Sequence, residues 1–205
     1  MNDQITIEAL SAPLADADLE QLTDLLVDVV DGNASVSFMA GLSRDEARDW
    51  WGRTVAGAGA RAVILAARDA SAIVGSVQLH PAWAPNQPHR ADVAKLLVHR
   101  RARRRGLARA LMADLEARAA ANGFTLLVLD TCQGTAAEAL YRSIGWTEVG
   151  VIPHFALTPD GGNCDTVFFY KELGALLVPS GAKRAGHIEC GLCHAVDFRW
   201  AVVAP

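Results

Sequence analysis

No apolar run in this 205-residue chain approaches the ~20 residues that a bilayer-spanning helix needs. The opening residues, MNDQITIEAL, lack a basic region followed by an apolar one, so no secretory signal is expected and the expected compartment is the cytoplasm. Asn33-Ala34-Ser35 fits a glycosylation sequon, but without export it predicts no sugar. Cysteines are few: Cys132, Cys164, Cys190 and Cys193. In a cytosolic chain of this length they imply no disulfide framework. There is no internal repeat, and no disordered or fibrous bias in the composition. Apolar residues make up 51% of the chain, enough for a substantial core in one domain.

Acid is missing from one place in particular. Residues 95–109 hold Lys95 and six arginines and no Asp or Glu, leaving 12 basic groups against 23 acidic ones elsewhere. The protein as a whole is acidic, with a net charge of −4. A nucleic-acid binder usually spreads basic charge over a face and has a basic pI. One concentrated spot on an acidic chain suits a local anion site better, so no nucleic-acid partner is expected, and no membrane.

Alternation and helical spacing predict the elements. A strand is expected over 4–10 and a helix over 16–30, with Asp16 and Asp18 near its start and Gly32 closing it. Ser43 and Glu46 form a capping-box pattern for a second helix. Residues 61–68 and 72–80 read as a hairpin and 90–99 as a further strand. A helix over 105–122 follows, then the apolar strand 124–131, a helix over 135–144, and strands near 146–156 and 164–171. The order predicts an α/β chain with a mixed sheet over residues 1–173. Residues 174–205 show no convincing period and read as a poorly ordered appendage.

The arginine-rich loop sits between a strand and a helix. Arg103-Arg104-Arg105-Gly106-Leu107-Ala108 has the form R-x-x-G-x-A. The first turn of a helix leaves N–H groups without internal partners, and the aligned dipole makes that end an anion site. Gly106 and the small Ala108 allow close approach of phosphate oxygens to the backbone, and the arginines add charge. The ligand this predicts is a pyrophosphate.

The stretch LLVHRRARRRGLARALM resembles the acetyl-coenzyme-A loop of the GCN5-related N-acetyltransferases, and AEALYRSIGWTEVG (137–150) is similar to that family's later motif. HRADVAKLLV, LDT and AEALY are most similar to the tabtoxin-resistance-type branch. The resemblance implies a twisted, mostly antiparallel mixed sheet flanked by helices on both faces, with acetyl-coenzyme A as co-substrate. It implies coenzyme contacts from Leu96, Leu97 and Val98, through their backbone, and from Arg103, Arg104, Arg105, Gly106, Leu107, Ala108 and Arg109. Two positions depart from the pattern. Ala108 stands where the family most often has glycine, and Gly134 stands where many members have asparagine.

Transfer to an amine requires a neutral amine, a polarised thioester and a proton for the departing thiolate. Tyr141, in the motif's tyrosine position, is the candidate acid. Asp130, which ends a buried strand where α/β proteins place active groups at the carboxyl edge, and Asp92, early on the neighbouring strand, are the candidate bases. His80, His89 and His154 are further candidates that read more readily as structural or surface residues. Ser35, Phe38 and Trp83 are candidates for the acceptor pocket. No metal is expected there. In the tail, His187, Cys190, Cys193 and His194 have a spacing that could chelate zinc, although cysteines without a specific role are the preferred reading. The expected activity is acetylation of the amine or hydroxyl of a small molecule, such as a toxin or antibiotic, by a monomer or homodimer. The alternatives are acetylation of a protein lysine or N-terminus, a coenzyme-A-binding sensor, and a nucleic-acid-binding module that uses the arginine run.

Overall fold

Ser43 accepts a hydrogen bond from the Glu46 N–H, and Glu46 accepts one from the Ser43 N–H, closing the expected capping box at the start of helix α2 (Arg44–Ala56). The other helices are α1 (Asp16–Asp31), α3 (Leu107–Ala121) and α4 (Ala136–Ser143), the last capped by Thr135. The strands are β1 (Thr6–Ala9), β2 (Val63–Arg68), β3 (Ile73–Pro81), β4 (Arg90–Val98), β5 (Leu126–Cys132), β6 (Thr147–Leu157) and β7 (Asn163–Glu172). The structure is a computed structural model that describes residues 5–174. The His187, Cys190, Cys193 and His194 grouping therefore lies outside the described residues.

The strands form one sheet in the order β1-β2-β3-β4-β5-β7-β6. Helices cover both faces, as expected. Leu22, Leu25 and Leu26 of α1 and Trp51 and Val55 of α2 pack on Ile64, Ala66, Ile73 and Leu97. On the other face, Leu107, Leu111, Met112 and Leu115 of α3 pack with Leu65, Val77, Leu79 and Leu127. Fully burying one such side chain stabilises by ~1.5–3 kcal/mol. Gly75 lets α3 lie close, because a Cβ there would meet Leu111 Cδ1 at 3.0 Å and Leu107 Cδ2 at 3.2 Å.

Two irregularities create the site. Every pairing is antiparallel except that of β4 with β5. That parallel pairing covers only Arg90–Asp92 against Leu126–Val128. Beyond it, β4 follows β3 as far as Val98, while β5 follows β7 as far as Cys132. The two strands therefore part, leaving a gap between residues 93–98 and 129–132. The second irregularity is a bulge in β4. Ser76 pairs with Leu97 and Gln78 with Ala94, so Val77 faces both Lys95 and Leu96. Lys95 takes the left-handed conformation, φ +53.

Three findings differ from the sequence reading. A 3-10 turn over Arg100–Ala102 begins the arginine run where plain loop was expected. The strand expected over 90–99 is bulged rather than regular. Cys132 and Cys164, for which no disulfide was expected, are joined as one, with Cα atoms 5.6 Å apart. The expectation rested on compartment alone. In the folded sheet Cys132 is opposite Thr166, which places Cys164 diagonally beside it on the same face.

Candidate active site

The loop from β4 to α3 ends at Gly106, which has φ +77 and no side-chain cap on the helix it starts. The first N–H groups of α3 thus lack side-chain partners. A Cβ built on Gly106 meets no heavy atom within 4 Å, so the space before the helix end is open. Arg103, Arg104, Arg105 and Arg109 are exposed around it, while Ala108 is half-buried. Arg103 Nε donates to the Val98 carbonyl at 3.3 Å, and Arg109 donates to Ser143 Oγ at 2.8 Å, which fastens α3 to the end of α4. The Leu107 side chain is buried in the core, so only its backbone can face a ligand. Leu97 is buried too, with Leu96 and Val98 half-buried beside it. Past Asp92 the β5-facing edge of β4 has no strand beside it. An extended amide chain fits such an edge as an added strand would.

The arginine run divides in two. Arg100 donates from its backbone N–H and from Nε to the Asp28 carboxylate, at 2.9 and 2.8 Å. Arg101 pairs with Asp69 at 2.5 Å. These two tie the 3-10 turn to α1 and to the β2–β3 turn. Arg103, Arg104 and Arg105 follow at the helix end.

Across the gap, Tyr141 of α4 is 5% exposed, its ring 5.9 Å from those of Trp146 and Phe169. Burial pushes its phenol well above the ordinary value, and the charge of Asp130 adds to the shift. Asp130, near the end of β5, has a raised carboxyl. Burial is the main cause, with Lys95 opposing it and Asp92 reinforcing it. Asp92 is raised by burial against the pull of Arg90, whose Nη1 donates to it at 2.9 Å. Among the described residues, no cation lies in ion-pair contact with Asp130. Asp92 is therefore a carboxylate paired with an arginine, while Asp130 accepts from its own backbone N–H and has no paired cation among the described residues.

Beside the gap stands a residue that the sequence reading did not single out as a site residue. Lys95 Nζ donates to Ser37 Oγ at 2.9 Å and lies 5.8 Å from the ring centres of both Phe38 and Trp50. Burial lowers its pKa to about 8, against the opposing charge of Asp130. The one available signal was that Lys95 is the only lysine in a stretch otherwise basic through arginine. Nothing in the residue pattern announced the bulge that aims it.

Phe38 meets Trp50 edge to face, with ring centres 5.3 Å apart. The segment around it is clasped to the β6–β7 turn. Ser35 Oγ donates to the Leu157 carbonyl at 3.0 Å, the Ala40 N–H donates to the Pro159 carbonyl at 2.9 Å, and Asn33 exchanges hydrogen bonds with Asp160 at 3.1 and 3.2 Å. The α1–α2 loop thus reaches from Lys95 on β4 to the hairpin beyond β5, arching over the gap. Trp83 is 81% exposed on the loop after β3. His80 Nε2 lies 2.9 Å from Gln78 Oε1, and burial lowers its pKa with Lys95 adding to the effect. His89 and His154 are exposed.

A gap between two parting parallel strands, beside an uncapped helix end ringed by arginines, fits the pantetheine and pyrophosphate of coenzyme A. Comparison with known proteins points the same way. The profile of the acetyltransferase (GNAT) family matches residues 29–146. A GCN5-related N-acetyltransferase from Kribbella flavida superposes with a TM-score of 0.67 at 22% identity, covering 82% of this chain and 98% of that one. The yncA protein of Salmonella typhimurium, solved with its cofactor acetyl-CoA, gives 0.68 at 19% identity, covering 87% and 99%. A ribosomal-protein-alanine N-acetyltransferase from Brucella melitensis gives 0.66 at 24% identity, covering 82% and 99%. The chain belongs to the GNAT acetyltransferase family and is an acetyl-coenzyme-A-dependent N-acetyltransferase.

Proposed function

We propose that the acceptor is the amine of a small molecule, of the kind that includes amino-acid-like toxins and antibiotics. The observation that carries this reading is the clasp between the α1–α2 loop and the β6–β7 turn. A peptide needs a groove open at both ends for its chain to enter and leave. A loop bridged from Lys95 to Asp160 closes the acceptor end across its width. The likeness of HRADVAKLLV and AEALY to tabtoxin-resistance-type enzymes supports the same class.

Acetyl-coenzyme A, when bound, supplies an acetyl group activated as a thioester. The α3 N–H groups with Gly106, Ala108 and the arginines 103–105 and 109 hold its pyrophosphate, and the backbone of Leu96–Val98 aligns its amide arm. Asp130 attracts the acceptor ammonium and takes its proton, directly or through water. Its raised pKa moves it toward that task. Tyr141 stays protonated at any working pH because its pKa is raised, so its hydroxyl is a standing proton donor for the leaving sulfur. Asp92, held by Arg90, acts on Asp130 by charge.

Thiol release from acetyl-coenzyme A, measured against a panel of amino acids, dipeptide toxins, amino sugars and decapeptides, tests the assignment. Turnover of small amines without turnover of decapeptides is expected. A decapeptide acetylated faster than every small amine would overturn it.

A further inference from the structure

Lys95 is a cation in an unusual setting. Its ammonium bonds the exposed Ser37 and lies 5.8 Å from the ring centres of Phe38 and Trp50, and among the described residues no carboxylate lies within the 4 Å of an ion pair. Lys95 is half-buried, and a charge withdrawn from water is ordinarily paired. The two residues that meet here, Lys95 and Ser37, both adopt the left-handed backbone, at φ +53 and +75. Such conformations in non-glycine residues are costly and concentrate where a site needs a side chain aimed. A second donor lies on the neighbouring strand. Ala94, the residue before Lys95, pairs with Gln78, whose amide nitrogen is buried without a hydrogen-bond partner among the described residues. Asp130 on the opposite wall acts on Lys95 through charge but does not touch it. Lys95 on β4 therefore presents a positive group and Asp130 on β5 a negative one, with Asp92, paired to Arg90, further back on β4.

We propose that Lys95 is the anion-recognising residue of the acceptor pocket, so that the enzyme takes a zwitterionic acceptor carrying a carboxylate or similar oxyanion beside the amine that is acetylated. This rests on the small-amine reading above. The acceptor's oxyanion pairs with the Lys95 ammonium, and its ammonium turns toward Asp130. A zwitterion matches both groups at once, while a plain amine matches one. Ser37 and the two rings hold Lys95 in place rather than neutralise it.

Two readouts test the proposal. The first does not involve turnover. The chain has three lysines, so protein labelled with carbon-13 at the lysine ε position gives few signals, and Lys95→Gln identifies that of Lys95. Amino acids and aminoalkyl phosphonates, titrated into the full-length wild-type protein, should move the Lys95 signal, and the matching carboxamides should not. The second readout compares acetylation of the same pairs. Lys95→Gln should lower kcat/KM for the acidic members about tenfold or more, the scale of a charge-assisted hydrogen bond, mainly through KM. It should leave the carboxamides nearly unchanged, and Lys95→Arg should restore most of the loss. If no oxyanion moves the signal, the proposal fails. It also fails if Lys95→Gln lowers kcat equally for both members of each pair, since Lys95 would then serve the chemistry or the fold. If oxyanions move the signal and none of the compounds is acetylated, the anion site stands and the small-amine reading falls.

Discussion

The two ends of the cleft are made in different ways. The end proposed for the coenzyme comes from one continuous stretch, residues 96–109, and offers mostly backbone: the edge of β4 past Asp92 and the first N–H groups of α3. The acceptor end is assembled from side chains far apart in the chain. Ser37 and Lys95 are separated by 58 residues, and Ser35 and Leu157 by 122. A pyrophosphate is the same in every reaction of the family, and a local backbone cradle suffices for it. An acceptor varies from enzyme to enzyme, and a pocket of separate side chains can change one wall at a time. Damage to the first end should therefore remove binding of the coenzyme whatever the acceptor. Damage to the second should depend on the compound offered.

The largest effect is expected at Gly106. Glu at that position would put a carboxylate into the open space before α3, on a backbone at φ +77 that disfavours any side chain. Losing a charge-assisted contact and adding repulsion each cost about a factor of ten or more. Calorimetric titration should show acetyl-coenzyme A binding weakened on the order of a hundredfold or beyond. Gly106→Ala carries the backbone strain without the charge, and it should fall well short of that. Equal affinities for Gly106→Glu and wild type would refute the cradle.

Tyr141→Phe keeps the ring among Trp146 and Phe169 and removes the donor. A fall in kcat on the order of a hundredfold, within the range of general acid help, is expected with coenzyme affinity retained. A drop in affinity alone would make Tyr141 a binding residue. Asp130→Asn should cost at least about tenfold in rate, and Asp92→Asn less, because Asp92 is already paired with Arg90. The pH profile separates the roles. A base acts when deprotonated, so the rate should rise with pH through the raised pKa of Asp130, and that limb should vanish in Asp130→Asn. For an acidic acceptor, kcat/KM should fall again above about pH 8 as Lys95 loses its proton. A crippled Asp92→Asn beside an active Asp130→Asn would exchange the two assignments.

The same contrast decides what could be read from the residues. The order of strands and helices was legible because most carried their own period, and α2 also its capping pair, Ser43 with Glu46. The uncapped start of α3 was legible because Gly106 and the arginines around it are adjacent in sequence. The gap between β4 and β5 was not, since nothing local tells a strand to stop pairing at Asp92. The bulge at Lys95 left no mark either, for a lysine at positive φ has no preferred residue pattern. Trp83 was a reasonable wall by composition, but the loop that carries it leaves it 81% exposed. The pairing of Cys132 with Cys164 depends on the register of β5 against β7, which only the folded sheet fixes.

The smallest effect on function is expected inside the arginine run itself, where sequence made neighbours of residues with unlike roles. Arg101 pairs with Asp69, whose side chain is only 4% exposed. The Arg101 guanidinium is the main reason that the Asp69 carboxyl sits far below the usual carboxylate range. The Ser71 and Ala72 N–H groups bond the same carboxylate, so it remains partly satisfied without the arginine. Arg101→Ala should therefore destabilise by roughly 1–2 kcal/mol, less than a fully buried pair would lose because Arg101 is itself partly exposed. Urea unfolding would measure it. Coenzyme affinity should stay within about twofold of wild type, since surface changes away from a site contribute little. Arg104→Ala should do the reverse, weakening coenzyme binding severalfold as one charge proposed to face the phosphates is lost, with stability nearly unchanged. If Arg101→Ala weakened coenzyme binding as much as Arg104→Ala, the run would have to be treated as one electrostatic patch, and the division drawn between its halves would be wrong.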